Sequence, residues 1–359
     1  MRLAALAVTA ALSISACGGS DSNSSPGGAA GSTQPGGTVS SSGGSGGGGD
    51  HKDIKVGLVF DLGGKGDKSF NDSADAGLNK AANDFGVTVK ELTPNAGGTN
   101  REELLTLLAS QGYNPVIAVG FSFDASVKKI AAKYPDTNFA IIDDVVDLPN
   151  VASLVFAAEQ SSFLVGAAAA LKSKTHHVGF IGGVNVPLLQ TFQAGFDAGA
   201  KHVDPSVKVD DKYLTTPPDF SGFNAPDKGK EAALGMYNAN ADVVYAAAGG
   251  SGTGVFEAAK STGNFAIGVD SDQYQSADPS VKGVIITSAL KRVDVAVYDF
   301  VQDFVNGKKD TGTKQFDLSN NGVGISFTGG KIDDIKSKLD DLKQQIVSGT
   351  IKVPTKPGA

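Results

Sequence analysis

The stretch IKVGLVFDLGGKGDKSFN (54–71) changes character twice along its length. Residues 54–60 form a short apolar run of strand length. Residues 61–69 hold Gly63, Gly64 and Gly66, which let a backbone turn tightly and approach a ligand. From Asn71, apolar residues recur at helical spacing as Ala74, Leu78, Ala81, Ala82 and Phe85. Strand, glycine turn and helix make up the repeating unit of a parallel sheet covered by helices on both faces.

The same alternation continues outward along the chain. Strands are predicted over 87–92, 115–119, 138–142, 151–156, 177–182, 207–213, 242–247, 265–269 and 283–288. Helices are predicted over 101–111, 124–134, 160–172, 189–203, 228–240, 253–262, 292–306 and 332–348. VIAVG (116–120) and VVYAAA (243–248) are apolar on both faces, as strands of a buried parallel sheet are. The units are too many for one compact sheet, so the fold class is α/β with two lobes. The first is expected over 53–157 plus about 270–306, the second over about 158–269 plus 307–353.

Ligands of open α/β sheets bind beyond the carboxyl ends of the strands, so the strand-to-helix turns are the places to inspect. The first turn carries Asp61 at the strand tip, then Phe70 and Asn71 at the helix start. It is not a P-loop, because Asp67 stands where that motif needs Gly, and Ser69 has a plain alternative use as a helix cap. Later turns place Asp143, the bare amides of Gly249 and Gly250, Asp270 and Lys291 at strand ends. Carboxylates suit the vicinal hydroxyls of a sugar or ribose, and Asn with aromatic rings suits a base. Any one of these residues alone is an ordinary cap or solvated loop.

Composition removes several classes of function. The 359 residues carry 31 Lys and Arg against 38 Asp and Glu, a net charge of −7, which argues against a nucleic-acid partner. Cys17 is the only cysteine, so the chain has no internal disulfide and no Cys-based zinc or iron–sulfur site. The histidines are His51, His176, His177 and His202, and neighbours on a strand point to opposite faces. No HExxH, EF-hand or Ser/His/Asp pattern is present, so no catalytic residue and no metal site is assigned.

Residues 1–17 read MRLAALAVTAALSISAC: a short basic start, then an apolar run too short to span a bilayer stably. This is a signal peptide, and its end resembles a bacterial lipobox with Cys17 as the lipidated residue. Residues 18–50 hold 13 Gly and 9 Ser, a composition that cannot bury a core, so 18–52 is expected to be a disordered tether. Its r.m.s. reach would be about 30 Å. The protein is therefore expected outside the cytoplasm, held to the cell membrane by its N-terminal lipid alone.

An ordered series of segments carries a resemblance. GDKSFN (66–71), FAIIDD (139–144), SSFLVGAAAALKSK (161–174), VGFIGG (178–183), FQAGFDAGAKHVDP (192–205), APDKGKEAA (225–233), AAAGGSGTGV (246–255), AIGVDSDQY (266–274) and ITSALKRVDVAVYD (286–299) follow one another. The chain resembles the basic membrane protein (BMP) family of substrate-binding lipoproteins, in particular its purine nucleoside receptor branch, over essentially all of 54–353. The resemblance implies a type I periplasmic-binding-protein fold: two Rossmann-like lobes with parallel sheets, joined by a hinge that closes over a ligand. It implies delivery of that ligand to the permease subunits of an ABC importer, no catalysis, no cofactor and a monomeric protein. By motif, Phe70 and Phe223 would sandwich a base, with Asn71 and Asp143 reading its edge. Asp61 lies at the first strand tip, and Gly249 and Gly250 would offer backbone to the sugar. Asp270 would accept from ribose hydroxyls, and Lys291 would donate to the ribose or brace Asp270. The family has Asp where this chain has Ala225, close to Phe223. Two other readings stay open: a sugar or other small polar ligand in the same fold, and an exported nucleoside-processing enzyme.

Overall fold

The computed structural model describes residues 51–358. The expected signal peptide, Cys17 and the expected tether through residue 50 lie outside the described residues. The last two residues of the 18–52 tether lie within them, and His51 N–H donates to Phe85 O at 3.1 Å, so the body begins at residue 51.

The first half alternates as predicted: β1 (Lys55–Val59), α1 (Phe70–Phe85), β2 (Thr88–Leu92), α2 (Arg101–Ser110), β3 (Val116–Ala118), α3 (Asp124–Lys133), β4 (Phe139–Ile142) and β5 (Val151–Phe156). The second continues through α4 (Ala158–Lys172), β6 (His177–Val184), α5 (Pro187–Val203), β7 (Lys208–Thr215), α6 (Pro226–Asn238), β8 (Val243–Ala247), α7 (Gly252–Thr262) and β9 (Phe265–Asp270). The chain closes with α8 (Gln273–Ser276), β10 (Ile285–Lys291), α9 (Val293–Val305), β11 (Gly312–Phe316), β12 (Val323–Ile325) and α10 (Lys336–Val347).

Two six-stranded sheets result, ordered β11-β5-β4-β3-β1-β2 and β12-β10-β9-β8-β6-β7. Among the described residues every strand pairing is parallel except β10 with β12. β3, β4 and β8 are buried along their whole length, because helices cover both faces. Glycines allow the closest helix contacts. A Cβ on Gly166 would sit 2.1 Å from the Phe196 carbonyl oxygen, so α4 and α5 meet backbone to backbone. No helix among the described residues is long and apolar enough to cross a membrane.

The lobe boundaries after residue 265 differ from the expectation. β10 belongs to the second sheet, so the chain leaves that lobe at Arg292 and not near 270. β11 then joins the first sheet beside β5, and the last crossing runs through 317–322 to β12. The reason is physical. GTKQF (312–316) is a polar, half-exposed edge strand whose place is set by pairing with β5 rather than by its own pattern. The three crossings lie side by side. Ala157 N–H donates to Phe316 O at 2.8 Å, and Arg292 N–H donates to Gly322 O at 2.9 Å. This bonded trio is the hinge, and the strand ends of the two sheets face each other across one cleft.

Candidate ligand-binding cleft

The first turn is built by acids that hold amides. Asp67 accepts from the N–H groups of Ser69, Asn71 and Asp72 at 3.0, 2.8 and 3.1 Å. The last two are amides of the first turn of α1, which have no partner within the helix. Asp67 is therefore the cap. Ser69, which the sequence offered for that use, sends its Oγ to Asp270 in the other lobe instead, at 2.8 Å. Capping by Asp67 fixes Phe70 and Asn71 as the first residues of α1, at the rim of the cleft.

Asn71 is 3% exposed. Its Oδ1 accepts from Asp61 N–H at 2.9 Å, and its Nδ2 reaches Leu62 O only at 3.5 Å, which leaves donor capacity toward the cleft. Asp61 accepts from Leu62 N–H, Ser122 Oγ and the more distant Arg101 guanidinium. Burial nevertheless holds its carboxyl above the usual carboxylate range, against the pull of those donors.

At the tip of β4, Asp143 has φ +70, a left-handed conformation that Asp tolerates better than most residues. Its Oδ2 accepts from Lys291 at the end of β10, and the side chains of the pair are 5% and 3% exposed. Asp143 Oδ1 is buried without a hydrogen-bond partner. The Lys291 ammonium stands 4.7 Å from the centre of the Phe70 ring, 5.2 Å from Phe156 and 5.6 Å from Phe192. Three π faces and one carboxylate thus compensate a nearly water-free cation.

Asp270 ends β9 at φ +62 and is 7% exposed. Burial raises its carboxyl to about 6, although Lys291 and Ser69 pull it down, and Asp143 and Asp67 add to the rise. Lys291 therefore bonds Asp143 and reaches Asp270 through its charge alone. Gly249 follows β8 at φ +55, a conformation that favours glycine. Phe223 comes from the turn before α6 and is packed against the end of β6. A Cβ on Gly183 would lie 2.5 Å from its ring.

Eight of the nine ligand-binding residues predicted from the sequence line one cleft: Asp61, Phe70, Asn71, Asp143, Phe223, Gly249, Asp270 and Lys291. The cleft encloses about 570 Å³ of empty space, part of it open to solvent, within the range of small-molecule sites. Gly250 lines an adjoining recess with Asn224, Asp67 and Thr253. Sequence reasoning missed Asp67, Phe121, Leu188, Leu189 and Phe192 on the cleft wall. Phe121 meets Phe223 edge-on, ring centres 6.5 Å apart, so an aromatic from each lobe closes the mouth.

Comparison with known proteins agrees with this geometry. The family model described as "ABC transporter substrate-binding protein PnrA-like" (Bmp) matches residues 54–357. A CD4+ T-cell-stimulating antigen of Listeria monocytogenes is 37% identical over 85% of this chain and 89% of that protein. An ABC transporter nucleoside-binding protein, BmpA, of Lactococcus lactis is 35% identical over 85% of this chain and 90% of its own length. Among solved structures, an ABC transporter solute-binding protein from Aeropyrum pernix superposes with a TM-score of 0.74 at 30% identity, covering 85% of this chain and 94% of that one.

Proposed function

The chain belongs to the Bmp family of PnrA-like ABC transporter substrate-binding proteins, and from that premise we propose that its cleft captures a nucleoside, a purine nucleoside in the first instance. The observation that carries this reading is the pairing of one aromatic ring from each lobe, Phe70 and Phe223, around buried charged groups in a single cleft. The base stacks between the rings. Lys291 already sits over Phe70, so it shapes one wall of the slot. Asn71 and the unpartnered Asp143 Oδ1 take the base edge, the one donating and the other accepting. Asp270 accepts from the ribose hydroxyls, and the turn after β8 offers backbone to the sugar. The relative named for nucleoside binding is 35% identical.

Stacking contributes about 1–3 kcal/mol per base, and hydrogen bonds to charged groups about 1.5–3 each. A handful of such contacts, two stacked faces with several charged hydrogen bonds, exceeds the cost of association and reaches the micromolar range, near about −8 kcal/mol. Hinge closure then turns occupancy into a shape that a permease reads. The signal peptide and lipobox support an extracytoplasmic protein anchored through Cys17, and no catalytic role is assigned.

Thermal unfolding of the purified protein, refolded to strip carried-over ligand, tests the reading with nucleosides, free bases, ribose and common sugars. A nucleoside at 100 times its Kd adds about 2.7 kcal/mol, a shift of several degrees. A shift with ribose or sugars and none with nucleosides overturns the base-stacking roles of Phe70 and Phe223.

A further inference from the structure

A fully buried glutamine behind Asp270 divides its two ends between the lobes. Gln273 is 0% exposed. Its Oε1 accepts from Val269 N–H at 2.8 Å in its own lobe. Its Nε2 donates to Lys68 O at 3.0 Å, in the first turn of the other lobe. Two neighbours point the same way. Ser271 Oγ donates to Ser69 O at 2.9 Å, and Ser276 Oγ reaches Lys68 O at 3.4 Å. In the opposite direction, Ser69 Oγ donates to Asp270 Oδ2 at 2.8 Å, with Val269 O at 3.2 Å.

The Lys68–Ser69 dipeptide is made for this contact. Its amides are tied inside the first lobe, Lys68 N–H to Asp72 Oδ2 at 2.9 Å and Ser69 N–H to Asp67 Oδ1 at 3.0 Å. With the amides fixed and Lys68 at φ +54, both carbonyls turn toward the second lobe. Gln273 is held in turn. Its N–H donates to Ser288 Oγ at 3.1 Å, and Gly268 leaves room for it, since a Cβ there would lie 2.8 Å from Oε1. Neither Gln273 nor Ser69 lines the ligand cleft.

We propose that Gln273, together with Ser69, is a clamp that couples ligand engagement at Asp270 to closure of the lobes. The inference rests on the nucleoside reading of the cleft. Ser69 holds Asp270 Oδ2 from across the cleft, which orients the carboxylate and leaves Oδ1 for a ligand donor. Gln273 reads both sides at once: one end grips the strand that carries Asp270, the other the turn that carries Phe70 and Asn71. When the lobes part, the Lys68 carbonyl and the Gln273 Nε2 both return to water, and Asp270 loses its Ser69 donor in the same movement. Closure and correct aim of Asp270 are thus one event. Gln273 and Ser69 are positioning residues that act on the ligand through Asp270.

Gln273→Glu is the discriminating variant. A carboxylate keeps the acceptor for Val269 N–H but sets an oxygen against the Lys68 carbonyl, so the bond within the lobe survives and the bond between lobes is lost. Ser271→Ala removes another interlobe bond without introducing a charge. Nucleoside association and dissociation rates are measured by stopped flow, compaction on binding by small-angle scattering, and ligand-free melting alongside. The expected result for Gln273→Glu is dissociation faster by about tenfold, association within about twofold of wild type and reduced ligand-induced compaction. Ser271→Ala moves dissociation in the same direction by a smaller factor. Unchanged dissociation and full compaction in Gln273→Glu overturn the clamp. So does a loss shared between association and ligand-free melting in both variants, which marks a merely structural role. A wild-type protein that binds no nucleoside overturns the reading of the cleft instead. That result is distinct from a wild type that binds and a variant that behaves like it.

Discussion

Asp270 carries two unusual conditions at once, a left-handed backbone at φ +62 and a carboxyl raised by burial to about 6. The ordinary value is 3.8, so this group is easier to protonate folded than unfolded. Alone, it costs the ligand-free protein stability above about pH 6, and that cost disappears as pH falls toward 4. Ligand affinity runs the other way. In the proposed nucleoside complex ribose hydroxyls donate to the ionised form, so binding would draw the Asp270 titration down. Lys291, Asp143 and Asp67 surround Asp270, and Lys291 is the only cation among them. Nucleoside affinity is therefore expected to be flat above about pH 7. It should weaken as pH drops through 6, approaching tenfold per unit. Calorimetric titration between pH 5 and pH 8 checks the sign, and affinity that rises on acidification removes Asp270 as the acceptor.

The turn after β8 shows what an element contributes beyond its side chains. Gly249 stands at φ +55, and a Cβ there would lie 3.0 Å from the carbonyl oxygen of Phe223. Gly249→Ala thus combines about 1–2 kcal/mol of left-handed strain with displacement of the turn that carries the second ring. Gly263 ends α7 at φ +73, and a Cβ there would meet nothing within 4 Å, so Gly263→Ala carries the strain alone. Both variants should lose melting temperature, Gly249→Ala at least as much as Gly263→Ala, and only Gly249→Ala should lose nucleoside affinity, by about tenfold. Equal affinities in the two variants would separate the turn from the site. The elements themselves were legible where one residue pattern determines them. VIA (116–118) and VVYAA (243–247) are buried on both faces and read as strands from their apolar runs. GTKQF (312–316) and VGI (323–325) did not, because a polar or three-residue edge strand exists only through its partner. The site divides in the same way. Carboxylates, glycines and a lysine at strand tips stand out, because a strand tip is a defined place in a parallel sheet. Phe121, Leu188, Leu189 and Phe192 do not, because an apolar residue opening a helix looks like core until a second lobe faces it. Asp67 was noticed only for spoiling a P-loop, and its three amide bonds appear once the turn is folded.

Across the whole molecule the charges act together against one class of competitor. The chain carries a net charge of −7, and four carboxylates, Asp61, Asp67, Asp143 and Asp270, line the cleft. Lys291, on the cleft lining, is tied to Asp143, and Arg101 stands beside Asp61 without lining the cleft, so neither cation offers itself to an incoming anion. A nucleoside is neutral and meets this field without penalty. A nucleotide brings a phosphate into a closing, low-dielectric slot among like charges. Two unit charges about 5 Å apart repel by about 3 kcal/mol at an effective dielectric constant near 20. Inosine 5′-monophosphate should therefore bind at least about 100-fold more weakly than inosine, the equivalent of about 2.7 kcal/mol. Hinge closure strengthens the discrimination, since it removes the water that would screen the phosphate. Added salt should narrow the gap by weakening the long-range part of the field and leave the inosine affinity nearly unchanged. Paired calorimetric titrations at low and high ionic strength measure both effects. Equal affinity for the two ligands would mean that the phosphate stays outside the cleft, with the ribose 5′ carbon pointing to solvent between the lobes.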